Sequence, residues 1–285
     1  MPIEPRTITV FLDASPSGAK RAAHAVALAH RWGAHLIGVH VVFAGVTPHP
    51  SMCYVRGESA IRQVIVDECD LEAVAEAASV LLGRRFRALC AGASVPGEFR
   101  AIRRGRTEEE AVLNSLQSDL VVVGHPEPHG LPDDMSPERM LLASGVPLLI
   151  VPNAWACETI GDRILIGWNR TRQARRAISD AMGFLVAAAS VTVLVIDQVG
   201  RQPDGQEPGA DIALHLVRHA VYVRIERVAS HGAPVAQVIL ASAVRNGSDL
   251  LVVGAYSHAR LRELLLGGTT RTLLAQMPVP VLISR

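Results

Sequence analysis

Short continuous apolar runs alternate along this chain with stretches whose apolar residues recur every three or four positions. Ile164–Trp168 has strand length, and Ala174, Ala177, Ile178, Ala181 and Leu185 behind it keep the spacing of one helix face. Val191–Ile196 predicts the next strand, followed by a polar loop through Pro208, a helix around Asp211–His219 and a third strand over Val221–Val228. Pro234 predicts the first turn of the next helix, with Val235, Val238 and Ile239 on one face. Leu250–Val253 and Val279–Ile283 are the fourth and fifth strands, and Leu266, Leu273, Leu274 and Met277 mark the helix between them. The earlier part follows the same plan, with strands near 7–12, 36–42, 98–102, 120–123 and 147–151. Its longer 43–97 segment reads as helical over Leu71–Leu82.

The two parts also match residue by residue. Ser118-Asp119-Leu120-Val121-Val122-Val123-Gly124 recurs as Ser248-Asp249-Leu250-Leu251-Val252-Val253-Gly254, and Thr7–Asp13 parallels Arg163–Asn169. Gly145–Val151 likewise returns as Met277–Ile283. The expectation is two copies of one domain, residues 1–152 and 162–285. Buried strands separated by helices predict an α/β fold of two repeated, Rossmann-like doubly wound domains, each with a five-stranded parallel sheet. Ligands of such sheets bind at the carboxyl edge, where the strand order reverses.

Composition narrows the chemistry. The chain has 28 Lys+Arg against 27 Asp+Glu, a balance that argues against a nucleic-acid binder, and aromatic residues at 4% argue against a base-stacking platform. Lys20 is the single lysine, so no lysine-dependent phosphate loop lies in the second half. The four cysteines form no C-x-x-C pair and no regular framework, which predicts a reduced chain. Met1–Arg6 has neither the basic start nor the apolar core of a leader, and no apolar run reaches membrane-spanning length. A cytoplasmic protein with no membrane contact is expected.

The fourth strand of the second copy leads into Gly254-Ala255-Tyr256-Ser257, then nine residues, then Gly267-Gly268-Thr269-Thr270. Small residues at both ends of a loop that enters a helix let backbone N–H groups approach an anion, and threonine hydroxyls add donors. On these motifs both halves resemble the universal stress protein domain. The resemblance implies ATP or another adenine nucleotide along the carboxyl edge, with Mg²⁺ only where a triphosphate binds. It assigns Gly254, Ser257, Gly267, Gly268, Thr269 and Thr270 to the phosphates, and Asn169 and the Val195 backbone to the base. Ser257 replaces a family glycine, Gly268 a serine or threonine, and Asn169 an aspartate.

In the first copy Asp13, Val41 and Gly124 mark a vestigial site. Gly124 leads into His125-Pro126-Glu127-Pro128-His129-Gly130, and prolines and carboxylates there oppose phosphate binding. Asp13 is expected to serve structure rather than ligand. Arg260, Arg262 and Arg271 are candidate phosphate ligands whose commoner fate is a solvated helix face. Asp211, His215 and His219 share a helix face, but three residues along one straight helix rarely converge on a metal ion. No G-x-S-x-G elbow accompanies Ser257-His258, and no catalytic residue is nominated.

The resemblance further implies pairing through the fifth strands, so Pro147–Val151 against Val279–Ile283 would give an internal pseudo-dimer. A homodimer and an unidentified protein partner stay open. The functional expectation is a stress-response regulatory module that binds an adenine nucleotide in its second half. A nucleotide-independent scaffold is the alternative. Slow ATP hydrolysis or self-phosphorylation ranks last, for lack of a general base beside the loop.

Overall fold

The computed structural model describes residues 4–42, 58–103, 107–125, 137–197, 209–255 and 268–285. The first half runs β1 (Thr7–Leu12), α1 (Pro16–Trp32), β2 (His35–Val42), α2 (Glu58–Gly92), β3 (Gly97–Arg103), α3 (Thr107–Ser115), β4 (Leu120–Gly124), α4 (Pro137–Ser144) and β5 (Leu148–Val151). The second runs β6 (Arg163–Trp168), α5 (Arg172–Asp180), α6 (Met182–Leu185), β7 (Ser190–Asp197), α7 (Ala210–Arg218), β8 (Val223–Ala229), α8 (Val235–Arg245), β9 (Leu250–Gly254), α9 (Gly268–Gln276) and β10 (Val281–Ser284). This is the doubly wound α/β repeat that the alternating pattern predicts.

All ten strands join one sheet in the order β3-β2-β1-β4-β5-β10-β9-β6-β7-β8. Within each half every pairing is parallel. Between the halves β5 and β10 run antiparallel, with Leu148 opposite Ile283, Leu149 opposite Leu282 and Ile150 opposite Val281. Leu148, Leu149, Ile150, Val281 and Leu282 are fully buried, so this seam is core rather than surface. Trp32 of α1 also meets Phe184 of α6 edge to face, at 4.7 Å between ring centroids. Edge-to-face geometry suits the ring quadrupoles and adds about 1 kcal/mol to the burial itself.

Local signals fix the helix ends. Ser15 caps α1 by accepting from the Gly18 N–H at 2.9 Å, Pro16 fits the first turn, and Gly33 closes the helix at φ 61°. Thr171 caps α5 in the same way, accepting from the Ala174 N–H at 3.2 Å. Ala174, Ala177, Ile178, Ala181 and Leu185 are all buried as their spacing predicts, although the helix divides at Ala181 into α5 and α6.

Four expectations need correction. Pro234 is the N-cap of α8 and not a residue of its first turn. The third strand of the second half begins at Val223, because Val221 and Tyr222 still link it to the turn at His219 and Ala220. The helix predicted over Leu71–Leu82 is part of α2, which extends over 35 residues. Not every strand is apolar on both faces. β8, with Arg224, Glu226 and Arg227, is an edge strand and largely exposed. Leu266, Cys53 and the loop through Pro208 lie outside the described residues. No helix among the described residues is long and apolar enough to cross a membrane.

Candidate nucleotide site

The repeated Ser-Asp dipeptide proves to be structural and lies at the end of the sheet opposite the carboxyl edge. Asp119 accepts from the N–H groups of Arg6 and Thr7 at 2.7 and 2.9 Å. Asp249 does the same for Gly161, Asp162 and Arg163, at 2.8–3.2 Å. Each carboxylate thus satisfies the backbone donors where the first strand of its half begins. Ser118 adds a buried hydroxyl contact to Thr9 at 2.6 Å.

At the carboxyl edge of the second half, Asn169 follows β6, and the Asn169 Oδ1 accepts from both the N–H and the hydroxyl of Thr171, at 3.3 and 2.6 Å. That turn starts α5. The first turn of α5 in turn lies directly on the end of β9. A Cβ placed on Gly254 would overlap the backbone of Gln173 and Ala174, so only glycine permits the approach. Asn169 and Gly254, 85 positions apart in number, are therefore held at one sheet edge through α5.

Val195 is opposite Trp168 in the β6·β7 ladder and is buried, so its backbone sits beside the end of β6. Gly209, at φ 91°, closes over its side chain, with its Cβ position 2.9 Å from Val195 Cγ2. Gly268 begins α9, and among the described residues no atom lies within 4 Å of its Cβ position. Thr269 is exposed and Thr270 is buried, so of the two hydroxyls Thr269 faces solvent. Ser257, Gly267, Arg260 and Arg262 lie outside the described residues. Trp168, half-buried at the tip of β6, and the cap Thr171 complete the edge. The Asn-x-Thr spacing before an amphipathic stretch is the signal that could have marked Thr171 in advance.

The first half is built differently at the same place. The register of β1 and β6 against their neighbours makes Asp13 equivalent to Asn169, Ser15 to Thr171, Gly18 to Ala174 and Arg21 to Ala177. The Asp13 Oδ1 accepts from the Ser15 N–H at 2.8 Å, while its other oxygen pairs with the Arg21 guanidinium. Arg21 is 1% exposed and also donates from Nε to the Phe11 carbonyl at 2.9 Å. A Cβ on Gly18 would overlap Asp13. The Asp13 carboxylate is thereby committed to the fold. Val41 and Gly124 are buried at the ends of β2 and β4. His125, which follows Gly124, donates from Nε2 to the Leu274 carbonyl of α9 at 2.7 Å and ties this edge to the second half.

Residues 162–285 match the sequence model of the universal stress protein family. A universal stress protein of Synechocystis sp. is 22% identical over 149 residues, which span 52% of this chain and 50% of that protein. The chain thus spans about half the length of this curated relative. The crystal structure of a universal stress protein from Archaeoglobus fulgidus superposes with a TM-score of 0.67 at 15% identity, covering 98% of this chain and 96% of that one. A functionally unknown protein from Pseudomonas aeruginosa gives 0.58 at 14% identity, covering 98% and 92%. At such identities the structural likeness establishes the fold over both halves.

Proposed function

We propose that this chain is a tandem universal stress protein, with domains at 1–152 and 162–285, whose second half takes an adenine nucleotide. The observation that carries the reading is the contact of Gly254 with the first turn of α5. It aligns the Asn169 turn with the strand end that opens the glycine-containing loop. Phosphates would lie on the backbone of the Gly254–Thr270 segment and on Thr269, with Ser257, Gly267, Gly268 and Thr270 shaping the turn. Among the described residues nothing crowds the Cβ position of Gly268, and with the absence of a Cβ at Gly254 this fits a close anion. The base would lie near Asn169 and the Val195 backbone. Mg²⁺ would enter only with a triphosphate. Asp13, bound to Arg21, leaves the first half as a structural partner.

The reading assigns no catalytic residue and describes a cytoplasmic module acting through conformation and protein contacts. A nucleotide-independent scaffold is the second reading, favoured by the engagement of Asn169 Oδ1 with Thr171. Mass spectrometry of small molecules released from the purified chain separates the two. One adenine nucleotide per chain, lost in Gly268→Asp, supports the proposal. Among the described residues nothing meets a Cβ there, and the substitution sets a carboxylate at the start of α9. A chain that arrives empty and takes up no added ATP or AMP in calorimetry supports the scaffold.

A further inference from the structure

Among the described residues β8 has a neighbouring strand on one side only. The ladder assigns its other backbone edge. The Tyr222 carbonyl accepts from the Val191 N–H at 3.2 Å, and the Ser230 N–H donates to the Asp197 carbonyl at 2.9 Å. Even-numbered residues therefore direct their backbone groups toward β7, and in a parallel ladder the alternate residues direct theirs away. Val223, Ile225 and Arg227 present N–H and C=O groups outward, which is a template for a further strand.

The side chains on this edge are unusually apolar for an exposed strand. Ile225 is 43% exposed on the face covered by α7, which itself exposes Leu214 and Val217, and Tyr222, 79% exposed, precedes the strand with the parity of the other face. On that other face of the strand, Arg224 and Glu226 are held in place by partners in their own chain. Arg224 donates to Thr192 Oγ1 at 2.8 Å and to Asn246 Oδ1 at 2.7 Å. Glu226 is bound by Arg245 and by Asn246 Nδ2.

We propose that β8 pairs antiparallel with β8 of a second copy of this chain, with Ile225 on the twofold axis. For outward backbone groups to meet outward groups, the axis must pass through a residue. An axis at Arg224 or Arg227 sets two guanidiniums against each other, and one at Glu226 sets two carboxylates against each other. The axis at Ile225 places Arg224 of each copy opposite Glu226 of the other, two complementary pairs. It also sets exposed Tyr222 across from Val228.

The opposite end of the sheet does not compete. By register Gly97 is equivalent to Val223, Glu98 to Arg224, Phe99 to Ile225 and Arg100 to Glu226. Pairing β3 of one copy with β8 of another in this register would oppose Glu98 with Glu226 and Arg100 with Arg224, both like-charged. β3 paired with itself has glycine in place of Val223. Its Phe99 packs toward Phe86 and Gly83, so it lacks the apolar centre.

The test is sedimentation velocity of the full chain between about 1 and about 100 μM, the range in which an interface of a few strand pairs associates. The expected species has twice the 30.5 kDa mass of the chain. Ile225→Lys, at an exposed position, should raise the dimer dissociation constant about tenfold or more with an unchanged circular dichroism spectrum. Arg224→Glu and Glu226→Arg should each dissociate the dimer. Mixing these two variants should restore it as a heterodimer, because one chain then carries two carboxylates and the other two guanidiniums. A chain that stays monomeric at the highest concentration, a dimer indifferent to Ile225→Lys, or folded charge variants that fail to combine would each overturn the proposal. Should a charge variant not fold, Ile225→Lys decides the matter alone.

Discussion

Asp13 and Arg21 form an ion pair sunk into the first half, and in the second half both charges are gone, replaced by Asn169 and Ala177. A guanidinium that is 1% exposed is kept stable only with its counter-charge, so Asp13 and Arg21 act as one unit.

The pair therefore predicts a non-additive mutant cycle. Asp13→Asn should destabilise the chain by about 3 kcal/mol, because it leaves Arg21 buried without a carboxylate. Asp13→Asn combined with Arg21→Ala rebuilds the second-half solution and should recover a large part of that loss. Chemical denaturation of the single and double variants measures it. Additive effects would refute the coupling.

Gly254 and Gly268 should respond in opposite ways to alanine. At Gly254 the added methyl overlaps the α5 backbone, and the displacement should cost about 1–3 kcal/mol and abolish nucleotide retention. At Gly268 the methyl meets nothing among the described residues, so stability should stay within about 0.5 kcal/mol of the parent. Melting curves and nucleotide content of the two variants check both statements. Equal tolerance at the two positions would remove the support for a shared edge between Asn169 and Gly254.

Asp249→Ala deprives three N–H groups of their acceptor and Asp119→Ala two. Losses of about 1–2 kcal/mol are expected, larger for Asp249, which is also the less exposed. Ligand content of the folded variants should be unchanged, since these residues lie at the far end of the strands. Loss of nucleotide from a folded Asp249→Ala protein would contradict the structural role.

Acid should weaken the fold through His24. Burial, reinforced by the Lys20 charge, holds the imidazole below its ordinary value. The unfolded chain then takes up the proton first, so stability falls as pH drops below about 6.5 and levels off once the folded imidazole also protonates. His24→Gln should flatten that part of the profile, as read from denaturation midpoints between pH 8 and pH 5. An unaltered slope in His24→Gln would assign the acid sensitivity elsewhere.

Much of this architecture was legible in the sequence because buried parallel strands write themselves as continuous apolar runs. Leu120–Val123 and Leu250–Val253 needed no further context, and the repeated Ser-Asp before each gave the strand register a second anchor. Edges were harder. β8 mixes Arg224, Glu226 and Arg227 with apolar residues because, among the described residues, one side of it has no strand to pack against, and the apolar pattern puts its start two residues early. The cap at Pro234 and the division at Ala181 depend on backbone angles that residue type leaves open. At the site, Gly254 could be nominated from its place after a buried strand, whereas Asn169 and Val195 came only through the resemblance to the universal stress protein domain. Neither the Arg21 partner of Asp13 nor the contact of Gly254 with α5 has a sequence signature, since each joins residues whose spacing says nothing of their proximity.

The antiparallel seam of β5 and β10 gives the two halves a relationship that separate subunits lack. Because both strands belong to one polypeptide, the joint needs no second copy and forms in the same way at any dilution. Each half is thereby released from having to match itself: its surface need complement only one fixed companion. Under that condition one carboxylate can be tied to an arginine in the first half while its counterpart becomes an amide in the second, with no loss of the common sheet.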